Sequence, residues 1–130
     1  MTPLLTLVVY MSVLTFAAIV LGGVLRNREW TPQGMRDGFS NRDKLPEATP
    51  LGGRAQRAAA NTIEGMLLFV PLALVAHMLA LDAEVLIGAQ VFFWSRVFYL
   101  PVYLAGIIYL RSLIWVVGMA GLGQMVMVLL

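Results

Sequence analysis

The sequence has no cysteine, a single histidine and few charged residues, and each shortage excludes a class of function. Without cysteine there is no disulfide, thiolate metal site or cysteine nucleophile, so any sulfur chemistry must use a thiol brought by the substrate. His77 has no second histidine or carboxylate at metal-ligand spacing, so we predict no metal site. The net charge of +2 is too small to argue for nucleic-acid binding, and we expect none.

Apolar residues are abundant instead. They make up 60% of the 130 residues, charged residues make up only 12%, and the mean hydropathy is +0.84. Because a soluble domain carries about 25% charged residues, this composition predicts an integral membrane protein of the all-α class. One membrane span needs about 20 residues, so the chain has room for three or four spans and one modest loop.

The distribution of apolar residues predicts a single membrane domain over residues 1–130, a four-transmembrane-helix bundle. We expect the spans at about 3–26, 54–81, 85–105 and 107–130. Residues 27–53 are polar and rich in proline and glycine, which predicts a loop. The join between the third and fourth spans is the least marked boundary, because only Pro101 and Gly106 indicate a break.

The basic residues support four spans. On that reading all nine fall at one end of the bundle: Arg26, Arg28, Arg36, Arg42, Lys44, Arg54, Arg57, Arg96 and Arg111. The opposite end carries Asp82, Glu84 and both chain termini. By the positive-inside rule the basic end is cytoplasmic and both termini lie across the membrane from it. A three-span chain would place Arg111 near the middle of a long helix, where a lone guanidinium costs several kcal/mol.

One face at the start of the second span is strongly polar and carries Arg54, Arg57, Asn61 and Glu64. At about 100° per residue, Asn61 lies about 40° from Arg57 and Glu64 about 20° to its other side. Ionisable groups are costly at membrane depth, so such a cluster predicts a functional site. Further polar residues reach the same end of the bundle from the third and fourth spans: Arg96, Tyr99, Tyr103 and Arg111.

A pocket between these spans would suit an amphiphilic ligand with carboxylates and an amine, because arginine binds carboxylate through paired hydrogen bonds. Glu64 would pair with the ligand's ammonium or neutralise one arginine. A guanidinium in the pocket could also favour a thiolate over a thiol. The alternative is an interhelical polar network that only fixes packing, with Arg96 and Arg111 as anchors at the membrane interface.

At these residues the sequence resembles the MAPEG family, the membrane-associated proteins of eicosanoid and glutathione metabolism. The family's second helix carries Arg-x-x-x-Asn-x-x-Glu, and its third helix carries an arginine followed by ring residues at the third and seventh positions. An Arg-x-Arg segment ends its first helix, and a further arginine lies near the start of its fourth. The matching residues are Arg26, Arg28, Arg54, Arg57, Asn61, Glu64, Arg96, Tyr99, Tyr103 and Arg111.

The resemblance implies a homotrimer that binds glutathione, as cosubstrate, between neighbouring subunits within the lipid membrane. In catalytic members a glutathione thiolate attacks a small lipophilic electrophile, and here Arg111 would be the catalytic residue that stabilises the thiolate. Arg26 would come from the neighbouring subunit. The remaining residues expected to bind glutathione are Arg54, Arg57, Asn61, Glu64, Arg96, Tyr99 and Tyr103. The short loops resemble those of bacterial members, which implies the inner membrane.

Three functions therefore remain open. The first is a glutathione-dependent transferase or peroxidase, the second a non-catalytic membrane scaffold or lipid-binding protein, and the third a small four-span transporter. For a transporter, Glu64 is the sole candidate for the carboxylate on a transport path. Two positions depart from the family pattern. Ala59 stands where many eukaryotic members have histidine or glutamine, and Gly65 where some have tyrosine; both changes remove ligand contacts.

Overall fold

The structure, a computed structural model, describes residues 1–130 and consists of five helices and their connections. The helices are α1 (Pro3–Asn27), α2 (Pro32–Phe39), α3 (Pro50–Met78), α4 (Asp82–Ala105) and α5 (Ile108–Leu129). Four of them, α1, α3, α4 and α5, are long and apolar enough to cross a membrane. The predicted all-α bundle of four spans is confirmed.

Three of the helices begin at a Thr-Pro pair. Thr2, Thr31 and Thr49 are the N-caps, and each hydroxyl accepts a hydrogen bond from the backbone amide three residues later. Proline fits the first helical position, because its missing N–H would have no partner there. This chemistry explains two differences from the sequence prediction. The segment predicted as a loop contains α2, and α3 begins at Pro50 rather than near residue 54.

The other connections between spans are short turns. At the α3–α4 turn, His77 Nδ1 lies 3.0 Å from Asp82 Oδ2. α4 ends at Ala105, and the chain turns at Gly106, whose φ of 78° lies in the left-handed region that favours glycine. The break between the third and fourth spans therefore falls at one of the two residues that indicated it.

The spans pack mainly as two pairs, α1 with α3 and α4 with α5, and α3 contacts α4 between them. The largest buried apolar side chains of the central core are Leu4, Met11, Phe69, Val85, Phe92 and Met125. Many large apolar side chains of the spans face outward, among them Val13, Phe16, Leu67 and Ile87. In a membrane these outward side chains meet lipid, so the bundle needs only a narrow core.

Close backbone contact joins α4 to α5. A Cβ atom at Gly88 would lie 2.5 Å from the carbonyl oxygen of Gly121, and one at Gly121 would lie 2.6 Å from that of Gly88. Gln124 secures the same contact, because its Oε1 accepts from the Gly88 amide at 3.1 Å and its Nε2 donates to the Glu84 carbonyl at 3.0 Å. These contacts fix how α5 lies on α4, and so where the first turn of α5 meets the end of α4.

Candidate functional site

A cleft between α3, α4 and α5 contains most of the predicted site residues. Its larger part has a volume of about 450 Å³ and is lined by Asn61, Tyr99, Tyr103, Arg111, Ser112, Trp115 and Val116. Small-molecule pockets usually measure roughly 300–1,000 Å³, so this volume suits a small ligand. A recess of about 80 Å³ adjoins it and is lined by Asn61, Glu64, Gly65, Leu68, Arg96, Trp115 and Met119. Asn61 and Trp115 line both parts.

Tyr103 is held between two arginines at the end of the bundle that is expected to face the cytoplasm. Arg57 Nε donates a hydrogen bond to the phenol oxygen at 3.2 Å. The guanidinium carbon of Arg111 lies 4.6 Å from the centroid of the Tyr103 ring, a cation–π contact. Tyr99 packs edge-on against Tyr103, with the ring centroids 5.4 Å apart. Tyr103 thus contacts both guanidinium groups, and that of Arg111 itself lines the cleft.

Arg96 lies at the floor of the recess and is almost completely buried, with 1% of its surface exposed. Its Nη1 donates a hydrogen bond of 2.7 Å to Asn61 Oδ1. The guanidinium carbon also lies 5.4 Å from the Phe92 ring centroid and 4.7 Å from that of Tyr99. The Nε and Nη2 atoms are buried without a hydrogen-bond partner. Arg96 therefore lines the recess directly but reaches the larger part of the cleft only through Asn61.

Two glycines make room for Arg96 and for the side chains that pack around it. A Cβ atom at Gly65 would lie 3.1 Å from Phe92 Cζ and 3.8 Å from Arg96 Cδ. A Cβ atom at Gly118 would overlap the hydroxyl of Ser95 and lie 3.3 Å from Arg96 Nη2. Gly65 thus leaves room for the Phe92 ring that packs against Arg96, which gives its departure from the family pattern a packing reason in this chain.

Glu64 lines the recess with an exposed side chain and forms no ion pair with an arginine of its own chain. The ion pair within 4.0 Å in this chain joins His77 and Asp82 at the other end of the bundle. Of the two roles expected for Glu64, neutralising an arginine is not found, and pairing with a ligand ammonium stays a prediction.

Besides Arg57, which meets the cleft only through its hydrogen bond to Tyr103, two further arginines expected to bind ligand do not line the cleft of their own chain. Arg54 Nε donates a hydrogen bond of 3.0 Å to the carbonyl of Leu104, one of the carbonyls that the end of α4 leaves without a helical partner. Arg26 Nη2 donates one of 2.9 Å to the carbonyl of Pro46, which joins α1 to the connection before α3. Any role of these two residues in binding stays a prediction.

The sequence analysis missed the contribution of α5 beyond Arg111. Ser112, Trp115 and Val116 line the larger part of the cleft, and Trp115 also lines the recess. Trp115 follows Arg111 by four residues, so both project from one face of the helix. That spacing was the signal available in the sequence. The spacing did not stand out, because the fourth span is apolar on all sides and a tryptophan in such a helix is expected to contact lipid.

Comparison with known proteins identifies a family for this chain. The sequence model of the MAPEG family matches residues 3–130, nearly the whole chain. No curated protein and no solved structure matches the chain. With the family's sequence pattern matched across all four spans, this chain belongs to the MAPEG family.

Proposed function

We propose that this membrane protein is a glutathione-dependent transferase or peroxidase that acts on lipophilic electrophiles. The observation that carries the proposal is that Arg111 and Asn61 line one cleft, Glu64 lines the adjoining recess, and Arg57 is hydrogen-bonded to the cleft residue Tyr103. Glutathione has two carboxylates, one ammonium and one thiol. Guanidinium groups suit the carboxylates, and the carboxylate of Glu64 suits the ammonium. Membership of a glutathione-related membrane family supports the same choice.

In this proposal Arg111 is the catalytic residue. A guanidinium beside the thiol favours the thiolate, because the positive charge stabilises the anion. The thiol loses its proton to water, and the thiolate sulfur attacks an electrophilic carbon. A carbon–sulfur bond forms as the bond from that carbon to the leaving group breaks, and the leaving group departs with its electron pair. The contact with the Tyr103 ring keeps the half-buried Arg111 side chain at the wall of the cleft. Trp115 and Val116 offer the apolar surface on which a lipophilic electrophile can lie.

The proposal extends to a homotrimer in which Arg26 of one subunit serves the cleft of its neighbour. Its position supports this extension, since Arg26 lies at the end of α1, away from the cleft of its own chain. A cleft completed between subunits would also be closed on the side that a single chain leaves open. The oligomer would lie in the membrane with its basic end toward the cytoplasm, as the charge distribution favours.

Conjugation of glutathione to a nitro-aromatic electrophile by the purified protein in detergent tests this function. We expect Arg111→Ala to lower kcat/KM by about 10²–10³, the usual loss when one stabilising donor is removed from a developing anion. Arg36→Ala is the matched control, because Arg36 is exposed on α2 and contacts Gln33 outside the cleft. Equal losses in both variants would contradict the role of Arg111. Glutathione binding without turnover of any electrophile would instead indicate a non-catalytic scaffold.

A further inference from the structure

We propose that Arg96 is a positioning residue: it turns the Asn61 amide so that the NH2 group faces the cleft and selects a hydrogen-bond acceptor on the ligand. The identity of that ligand as glutathione rests on the function proposed above. The orientation of the amide does not, because contacts within the chain alone determine it.

The chemistry of the two side chains fixes this orientation. Guanidinium has only donors, so the atom of Asn61 that lies 2.7 Å from Arg96 Nη1 must be its carbonyl oxygen. The opposite orientation would place two donors, one of them cationic, against each other. Hydrogen bonds to a charged group are about twice as strong as neutral ones, so the preference is firm. The NH2 group of Asn61 consequently points away from Arg96.

Arg96 cannot readily move to release the amide. Its guanidinium lies over the rings of Phe92 and Tyr99, and the side chain is almost completely buried. Since its Nε and Nη2 have no partner, Asn61 provides the single hydrogen bond that the buried guanidinium makes. Each residue therefore depends on the other: the cation holds the amide, and the amide oxygen compensates part of the cost of burying the cation.

The amide that results has a clear chemical preference. Asn61 is half-buried and lines both parts of the cleft, and its NH2 group has no partner within the chain. Along this face of α3 the order is a cation at Arg57, a neutral donor at Asn61 and an anion at Glu64. At about 1.5 Å per residue the outer two groups start roughly 10 Å apart. A ligand that fits this order has a carboxylate, an acceptor oxygen such as a peptide carbonyl, and an ammonium, in that sequence.

The Asn61→Asp variant separates this role from a purely structural one. Aspartate keeps an oxygen for Arg96 and even strengthens the contact, so the thermal midpoint should stay the same or rise. Its second oxygen would face the ligand's acceptor in place of the NH2 donor. We expect the Kd for glutathione, measured by calorimetry, to rise at least about tenfold, the equivalent of one lost hydrogen bond to a polar ligand. An unchanged Kd in a stable Asn61→Asp protein would overturn the proposal.

Nuclear magnetic resonance without ligand provides a second arm. In the wild-type protein the side-chain amide of Asn61 should give one pair of signals that exchange readily with water. In Arg96→Met, which removes the cation but keeps an apolar chain of similar length, we expect these signals to shift and broaden as the amide becomes free to rotate. Arg96→Lys, which keeps a donor, should restore much of the wild-type pattern. Identical Asn61 signals in wild type and Arg96→Met would overturn the proposal.

The two arms distinguish failure of the inference from failure of the function. If the wild-type protein does not bind glutathione, the proposed function is wrong, and the resonance arm still decides the orientation of Asn61. If glutathione binds and Asn61→Asp binds it equally well, the proposed function stands and the role of Arg96 as a positioning residue is wrong.

Discussion

The guanidinium carbon of Arg111 lies 4.6 Å from the centroid of the Tyr103 ring. Tyr103 is thus the point at which the first turn of α5 meets the last turn of α4, and its hydroxyl also accepts the hydrogen bond from Arg57. One side chain therefore orients the proposed catalytic arginine through its ring and a proposed binding arginine through its oxygen.

Substitutions at Tyr103 should separate these two contacts. Tyr103→Phe keeps the ring beneath Arg111 and loses only the acceptor for Arg57, so we expect KM for glutathione to rise several-fold with kcat nearly unchanged. Tyr103→Leu loses the ring as well, and we expect kcat to fall at least about tenfold, because Arg111 is no longer held by a cation–π contact. Steady-state kinetics with the nitro-aromatic electrophile measures both. The same kcat in the two variants would contradict the role assigned to the ring.

Alanine in place of glycine on α5 should reveal the space that Arg96 needs. Gly118→Ala brings a Cβ atom against the Ser95 hydroxyl and Arg96 Nη2, whereas Gly123 has nothing within 4 Å of such an atom. Overpacking of this kind costs about 1–3 kcal/mol, so Gly118→Ala should lower the thermal midpoint. Gly123→Ala should leave it unchanged or raise it slightly, because alanine favours the helix. Equal midpoints for the two variants in the same detergent would show that α5 can shift away from α4.

The role of Glu64 can be tested with a change in the ligand as well as in the protein. We expect Glu64→Gln to weaken glutathione binding by about tenfold through loss of a charged hydrogen bond to the ammonium. The same variant should bind glutathione that lacks its α-amino group as well as the wild-type protein does. Calorimetry on the wild-type protein and on the variant, each with both ligands, measures the four affinities that this comparison needs. A loss of affinity for both ligands would mean that Glu64 acts on the fold of the recess and not on the ammonium.

Two inactive variants should complement each other if the site lies between subunits. Arg26→Ala and Arg111→Ala each damage every site of a homotrimer made from one variant. In mixed trimers, a site that pairs the intact Arg26 of one subunit with the intact Arg111 of its neighbour regains function. Random mixing of equal amounts should restore about a quarter of the sites. Activity no greater than the mean of the two pure variants would place both residues in one subunit or exclude a role for Arg26.

Much of this architecture follows from the sequence alone. Long apolar runs and one-sided basic residues predict four spans, and helical periodicity places Arg57, Asn61 and Glu64 on one face. The end of one span and the start of the next lie on the same side of the membrane. This alone predicts that one cleft is lined by Asn61, Tyr99, Tyr103 and Arg111. These are consequences of hydropathy and of helix geometry, which act locally and are visible in a single chain.

The parts that could not be predicted depend on contacts between helices. Arg96 of α4 packs against Gly118 of α5, where a Cβ atom would lie 3.3 Å from its Nη2, and its hydrogen bond to Asn61 reaches α3. The hydrogen bond from Arg54 to the carbonyl of Leu104 likewise joins α3 to the end of α4, and the role of Arg54 in ligand binding stays a prediction. The start of α3 was also misplaced, since Pro50 was taken as a helix breaker when its position after Thr49 makes it a helix start.

The central claim is that the cleft binds glutathione as a thiolate beside Arg111, and the ultraviolet difference spectrum tests it most directly. Glutathione is added to the protein at a pH at which the free thiol remains protonated, and the thiolate absorption is recorded. We expect a thiolate band in the wild-type protein that saturates with glutathione, is unchanged in Arg36→Ala and is lost in Arg111→Ala. Saturable glutathione binding with no thiolate band in the wild-type protein, or a band of equal size in Arg111→Ala, would contradict the account.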